Sequence, residues 1–182
     1  MYGNEEINNV LKCLKKSTQM GNEVSTFEEK IAKLFGKNYG IMVNSGSSAL
    51  TLAIKVLNLP KNSEIITPCL NFGTGVSSIM LSNLKPIFVD CEIETLQIDI
   101  DKIEEKITKK TKALLIPNLI GNLPDWAKIR RLANKYKLMV IEDSADTLGA
   151  TINNKPSGRF SDISITSFYG SHVISCAGNG GM

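Results

Sequence analysis

The 182-residue chain has a single histidine, His172, and its four cysteines, Cys13, Cys69, Cys91 and Cys176, form no C-x-x-C pair. A zinc site on cysteine and histidine needs grouped ligands, so no metal site is expected. Cysteines this widely spaced read as reduced thiols of a cytoplasmic protein, not as a disulfide framework. No apolar run approaches the roughly 18 residues of a membrane span. The polar start Met1-Tyr2-Gly3-Asn4-Glu5-Glu6 lacks the basic-then-apolar order of a signal peptide. Lysine and arginine outnumber aspartate and glutamate only by 21 to 18, without a long basic tract, which disfavours nucleic acid as a partner. There is no G-x-G-x-x-G and no Walker lysine, so a nucleotide-binding α/β domain is disfavoured too. Internal repeats, low-complexity tracts and domain linkers are missing.

What remains is a globular composition, 42% hydrophobic and 21% charged, long enough for one domain with a sizeable core. Strand and helix patterns alternate, which predicts an α/β fold of three layers, α/β/α, around a mostly parallel sheet. Helices are expected over 5–17, 23–35, 49–57, 73–84, 98–107 and 124–136. The one over 49–57 is apolar on nearly all sides and so buried. Strands are expected over 39–43, 64–67, 86–90, 112–117, 138–143 and 162–168, with a turn over 155–161.

Four places suit chemistry. Glu142-Asp143 closes an apolar strand, and open α/β sheets bind ligands beyond the carboxyl ends of their strands. A buried carboxylate there either caps the next turn or pairs with a cation such as a protonated pyridine nitrogen. Gly46-Ser47-Ser48 opens a helix, where free N–H groups and hydroxyls hold a phosphate, or simply cap the helix through Ser45 or Ser47. Phe72, just past a strand, either fills the core or stacks on a flat ring. His172 lies in a glycine-rich loop, where imidazole serves structure or moves protons near neutral pH. Cys176, close by, reads as a small filler.

Order and spacing join these places. The runs are Asn44-Ser-Gly-Ser-Ser-Ala, Ile66-Thr-Pro-x-x-x-Phe72, Pro86-Ile-Phe-Val-Asp90, Ile141-Glu-Asp-Ser-Ala-Asp146, Gly158-x-x-x-Asp162-Ile and Ser167-Phe-Tyr-x-x-His172. From about residue 20 onward they resemble the sugar aminotransferases of pyridoxal phosphate (PLP) fold type I, the DegT/DnrJ/EryC1/StrS-like group. Those enzymes carry a lysine where His172 stands, and it forms a Schiff base with the cofactor aldehyde. Imidazole has no primary amine. Within the group the chain most resembles the nucleotide-sugar 4-keto-6-deoxyhexose 3-dehydratases, which replace that lysine by histidine. Asp146, where aminotransferases tend to have glutamine, and Tyr169 agree with that pattern. Val173 departs from it, since many such dehydratases have a second histidine there, and Asn179 stands where an acid is common.

The resemblance implies PLP or pyridoxamine phosphate (PMP) held without a covalent bond. Asp143 would face the pyridine nitrogen and Phe72 the ring. Gly46, Ser47 and Ser167 would hold the phosphate, with Asp146 and Tyr169 beside the cofactor and His172 as the base. The implied reaction removes the C3 hydroxyl of a nucleotide-linked 4-keto-6-deoxyhexose, in deoxysugar and surface-polysaccharide synthesis, within a cytoplasmic homodimer. The alternative is a family member that lost its activity with its lysine, or a truncated, non-catalytic partner. The resemblance also implies that residues 1–182 are the N-terminal part of the large domain. Residues 1–20 would then hold an N-terminal helix, Gly180-Gly181 would open another strand, and the small C-terminal domain would be absent. An iron–sulfur (2Fe–2S) cluster, which some relatives hold on C-terminal cysteines, is left open only for that absent part.

Overall fold

The computed structural model describes residues 2–182. Its helices are α1 (Asn4–Lys16), α2 (Asn22–Leu34), α3 (Gly46–Val56), α4 (Gly73–Leu81), α5 (Ile103–Lys106) and α6 (Trp126–Tyr136). Its strands are β1 (Glu64–Pro68), β2 (Lys85–Val89), β3 (Thr111–Pro117), β4 (Met139–Asp143), β5 (Thr151–Ile152), β6 (Lys155–Pro156) and β7 (Ile163–Ile165). Five of them form one sheet in the order β2-β1-β3-β4-β7, and every neighbouring pair is parallel.

Alternate residues of a strand face opposite sides of the sheet. Ile65, Ala113, Leu115, Ile141 and Ile165 therefore pack on one side, with Leu50, Ala53 and Ile54 of α3 and Ile79 of α4. Ile66, Leu114, Ile116 and Val140 pack on the other, with Ile103 of α5 and Trp126, Ile129 and Ala133 of α6. This is the expected α/β/α sandwich. Each such burial stabilises by about 1.5–3 kcal/mol relative to exposure. β3 and β4 are covered on both faces, which is why their sequences read as nearly continuous apolar runs. α6 begins where the Asp125 side chain accepts from Lys128 N–H at 2.8 Å, and it ends at Lys137 in the left-handed region, φ 55°.

Several expected boundaries move. Residues 39–43 are not a strand: only Val43 pairs, antiparallel with Gly181, while Tyr39 and Ile41 stay exposed. A short apolar run becomes a strand only where a neighbour offers a ladder, and here the neighbour is one residue long. The last strand stops at Ile165. Beyond it Thr166 and Phe168 bond to Met182 and Gly180, running antiparallel. Gly181 fits there because a Cβ on it would lie 2.4 Å from the Ser45 carbonyl. Residues 155–161 are more than a turn, since β6 pairs with β5 and a 3-10 turn follows over Ser157–Phe160. The helix expected over 98–107 begins after Asp99, runs as a 3-10 turn through Ile100–Lys102, and is α-helical only over Ile103–Lys106. α4 stops at Leu81, and Asn83 turns left-handed at φ 58°. α3 starts earlier than expected, at Gly46, because Ser45 caps it: its Oγ accepts from Ser48 N–H at 3.1 Å.

In chain order the sheet grows from β1 to β2 on one side, then to β3, β4 and β7 on the other. The loops leaving β1 and β3 lead to helices on opposite faces, so they part at the carboxyl edge. A parallel sheet binds ligands at such a switch point.

Candidate active site

The carboxyl edge gathers the expected residues from four elements. Asp143 ends β4, Phe72 follows β1, Ser167 follows β7, and Gly46 and Ser47 open α3. Gly46 and Ser167 touch. A Cβ on Gly46 would lie 2.7 Å from Ser167 Cβ and 3.0 Å from its Oγ, so the close approach requires glycine. Ser47 is exposed in the first turn of α3, where N–H groups point out of the helix. Phe72 is 70% exposed, so it is not a core aromatic, and among the described residues no ring contact joins it to Tyr169 or His172.

Asp146, Tyr169 and His172 come together. His172 Nε2 lies 3.8 Å from Asp146 Oδ1. The Tyr169 ring meets the imidazole edge-on, with centroids 5.9 Å apart. The loop holds this geometry through a turn in which His172 N–H donates to the Tyr169 carbonyl at 2.9 Å. His172 Nδ1 is buried, and among the described residues it has no hydrogen-bond partner. A bare buried ring nitrogen is costly unless another group satisfies it. The imidazole thus has one nitrogen beside an acid and one enclosed without a partner.

Asp143 is nearly buried and accepts one hydrogen bond here, from Ala145 N–H at 3.1 Å. Burial pushes its carboxyl up to about 6, the Ala145 bond opposes this, and the charges of Asp146 and Glu142 add to it. Among the described residues no cation pairs with this carboxylate. A protonated ring nitrogen would supply one, and the first-turn N–H groups of α3, with the Ser47 and Ser167 hydroxyls near them, suit a phosphate. The residues present therefore fit a flat, phosphorylated pyridine. The loop that carries His172 offers no amine of its own for a Schiff base, since residues 156–182 contain no lysine.

Sequence reasoning missed what holds Asp143 in place. Glu142, fully buried, accepts from Asn118 Nδ2 at 3.1 Å, Ser144 at 2.8 Å, Ser157 at 2.6 Å, Ser161 at 3.0 Å and Ser164 at 2.8 Å. Asn118 also accepts from Trp126 Nε1 at 2.8 Å, and its N–H donates to the Asp143 carbonyl at 2.8 Å. Lys37 Nζ reaches Ser161 at 2.6 Å; burial lowers its pKa, against the pull of Glu142 and Asp162. The one signal in the sequence was the doublet Glu142-Asp143 itself. Side chains alternate along a strand, so two successive acids at its end face opposite ways and need separate partners.

The sequence pattern of the DegT/DnrJ/EryC1/StrS aminotransferase family matches residues 1–182. The chain belongs to that family. Among its relatives, a GDP-perosamine synthase of Escherichia coli O157:H7 is 38% identical over 95% of this chain and 48% of its own length. A GDP-4-keto-6-deoxy-D-mannose 3-dehydratase of Escherichia coli O55:H7 is 36% identical over 90% of this chain and 44% of its own. The solved structure of an E. coli GDP-4-keto-6-deoxy-D-mannose-3-dehydratase with bound hydrated PLP superposes with a TM-score of 0.93 at 34% identity, over all of this chain and 48% of that one. The chain thus spans about half the length of the family members it matches. The fold is that of the PLP-binding family structures, in which Asp143 ends β4 while Ser167 and His172 follow β7.

Proposed function

We propose that this chain carries the cofactor site of a PLP- or PMP-dependent sugar dehydratase, which removes the C3 hydroxyl of a nucleotide-linked 4-keto-6-deoxyhexose. The observation that carries the reading is His172, paired with Asp146 and Tyr169 after β7, in a stretch without lysine. Bound as PMP, the cofactor supplies an amine for the sugar ketone and a ring that accepts electrons. Asp143 holds the positive charge on the ring nitrogen. Phe72 covers one face of the ring, and its exposure leaves it free to do so. Gly46, Ser47 and Ser167 hold the phosphate. His172 is the base that would take up a proton during dehydration, with Asp146 and Tyr169 beside its ring to hold it in place. The 36% identity to a named 3-dehydratase supports this assignment, and the name of a further relative, lipopolysaccharide biosynthesis protein RfbH of Salmonella typhimurium, supports a place in surface-polysaccharide synthesis.

The domain reading belongs here too: residues 1–182 as part of a large domain, completed by a small domain, in a homodimer working in the cytoplasm. No helix among the described residues is long and apolar enough to cross a membrane. A second reading, an aminotransferase relative that lost its activity with its lysine, is favoured by the 38% identity to a perosamine synthase. Mass spectrometry of a GDP-linked 4-keto-6-deoxyhexose incubated with the protein and PMP separates the two. Loss of the C3 oxygen that depends on His172 supports dehydration. A sugar that gains an amine contradicts it, and an unchanged sugar with bound cofactor favours the inactive relative.

A further inference from the structure

Two cysteines that lie far apart in the sequence become neighbours at the rim of the sheet. Cys69 follows β1 directly, and Cys91 lies just past β2. β1 and β2 pair in parallel with Pro68 opposite Val89, and Cys69 N–H extends the ladder by donating to the Val89 carbonyl at 2.8 Å. Continuing that register puts Cys69 beside Asp90 and one residue out of step with Cys91. Adjacent strands lie about 4.8 Å apart and rise about 3.3 Å per residue, so the two α-carbons are ~6 Å apart. A disulfide spans roughly 4.4–6.8 Å between α-carbons.

Cys69 Sγ donates to Asp90 Oδ1 at 3.5 Å, and the same oxygen accepts from the backbone N–H of Cys91 at 2.9 Å. One carboxylate thus joins the Cys69 thiol to the Cys91 backbone, and the Cys69 thiol is near enough to the Cys91 thiol to bear on its ionisation. Burial raises the Cys91 thiol, and the nearby Cys69 thiol and Asp90 carboxylate raise it further. Cys69 is exposed and Cys91 partly so, which lets a small oxidant reach them. Among the described residues no group of three or more metal-ligating side chains is placed to hold an ion, which leaves thiol–thiol chemistry.

We propose that Cys69 and Cys91 are an oxidisable pair that closes a reversible disulfide across the ends of β1 and β2. With a small disulfide such as oxidised glutathione as oxidant, the Cys69 thiolate attacks one glutathione sulfur. A mixed disulfide forms and one glutathione thiolate leaves. The Cys91 thiolate then attacks Cys69 Sγ and expels the second glutathione. The two cysteines lose two protons and two electrons, and the electrons end on the two glutathiones. The bond ties the loop Cys69–Phe72 to β2, so the redox state sets how freely Phe72 moves at the edge of the site.

Cyanogen bromide cleavage reads the pairing directly, because cutting at Met20, Met42, Met80 and Met139 puts each of the four cysteines on a different fragment. The chain is incubated with oxidised glutathione at mildly alkaline pH, remaining thiols are alkylated, and cleavage is done without reductant. The expected result is fragment 43–80 joined to fragment 81–139, released by dithiothreitol, and absent from both the Cys69→Ser and the Cys91→Ser variant. Four separate cysteine-bearing fragments, with or without attached glutathione, would overturn the proposal. So would a joined pair that contains Cys13 or Cys176.

Discussion

Replacing Asp143 by asparagine should stabilise the chain without cofactor while weakening its grip on a pyridinium. Burial raises the Asp143 carboxyl from 3.8 to about 6. The folded state therefore holds this proton more tightly than the unfolded state does. From about pH 4 to about pH 6 the folded chain must give it up against that preference, so stability falls as pH rises. Above about pH 6 the whole cost is present, about 3 kcal/mol for a shift of this size. Asparagine removes the charge and keeps the oxygen that accepts from Ala145 N–H. At pH 7 Asp143→Asn should thus gain about 3 kcal/mol, roughly 6–12 °C in Tm for a chain of this size. Near pH 4 the two proteins should be about equal. Urea unfolding of both across that range gives the difference, and contributions from other groups cancel in it. The cofactor has the opposite sign: losing one partner of a buried ion pair costs about 3–5 kcal/mol, so affinity for PLP should fall more than about 100-fold. A difference that does not change with pH, or a variant less stable than the parent at pH 7, would refute the reasoning.

Glu142→Gln should cost about 2 kcal/mol in urea unfolding, because the amide replaces one charged acceptor among five donors that converge on it. Gly46→Ala should cost about 1–3 kcal/mol, since the new Cβ would lie 2.7 Å from Ser167 Cβ, and PLP titration by absorbance should show weaker binding as α3 shifts. Asp162→Asn should cost about 1 kcal/mol or less by the same unfolding assay. Its carboxylate meets Arg130 at 3.0 Å in a partly exposed pair, and its bond from Val140 N–H survives as an amide contact.

The sheet was legible where the sequence was most apolar. β3 and β4 are buried on both faces, so their apolar runs alone marked them, while the sides taken by Ile65 and Ile66 or by Leu114 and Leu115 came only with the structure. Residues 39–43 looked similar but pair only through Val43, and nothing local reveals how much ladder a partner will offer. Asp143 was legible as an acid ending an apolar strand. The five hydrogen bonds to Glu142 were not, because Asn118 and the serines at 144, 157, 161 and 164 come from separate segments that meet only when the chain folds. His172 and Asp146 were each named by family resemblance; their approach to 3.8 Å is a tertiary fact. Phe72 was left between core and ring stacking, and its exposure rules out the core. The neighbourhood of Cys69 and Cys91 depends on the register between β1 and β2, which no spacing rule contains.

The claim that His172 stands in place of a Schiff-base lysine is tested most directly by borohydride. The protein and its His172→Lys variant are each mixed with one equivalent of PLP, reduced, and weighed by mass spectrometry after removal of free cofactor. The account predicts that the parent binds PLP, seen by absorbance before reduction, yet gains no mass, while the variant gains one pyridoxyl phosphate on residue 172. A parent protein that carries the adduct on any lysine, Lys155 for example, would contradict it.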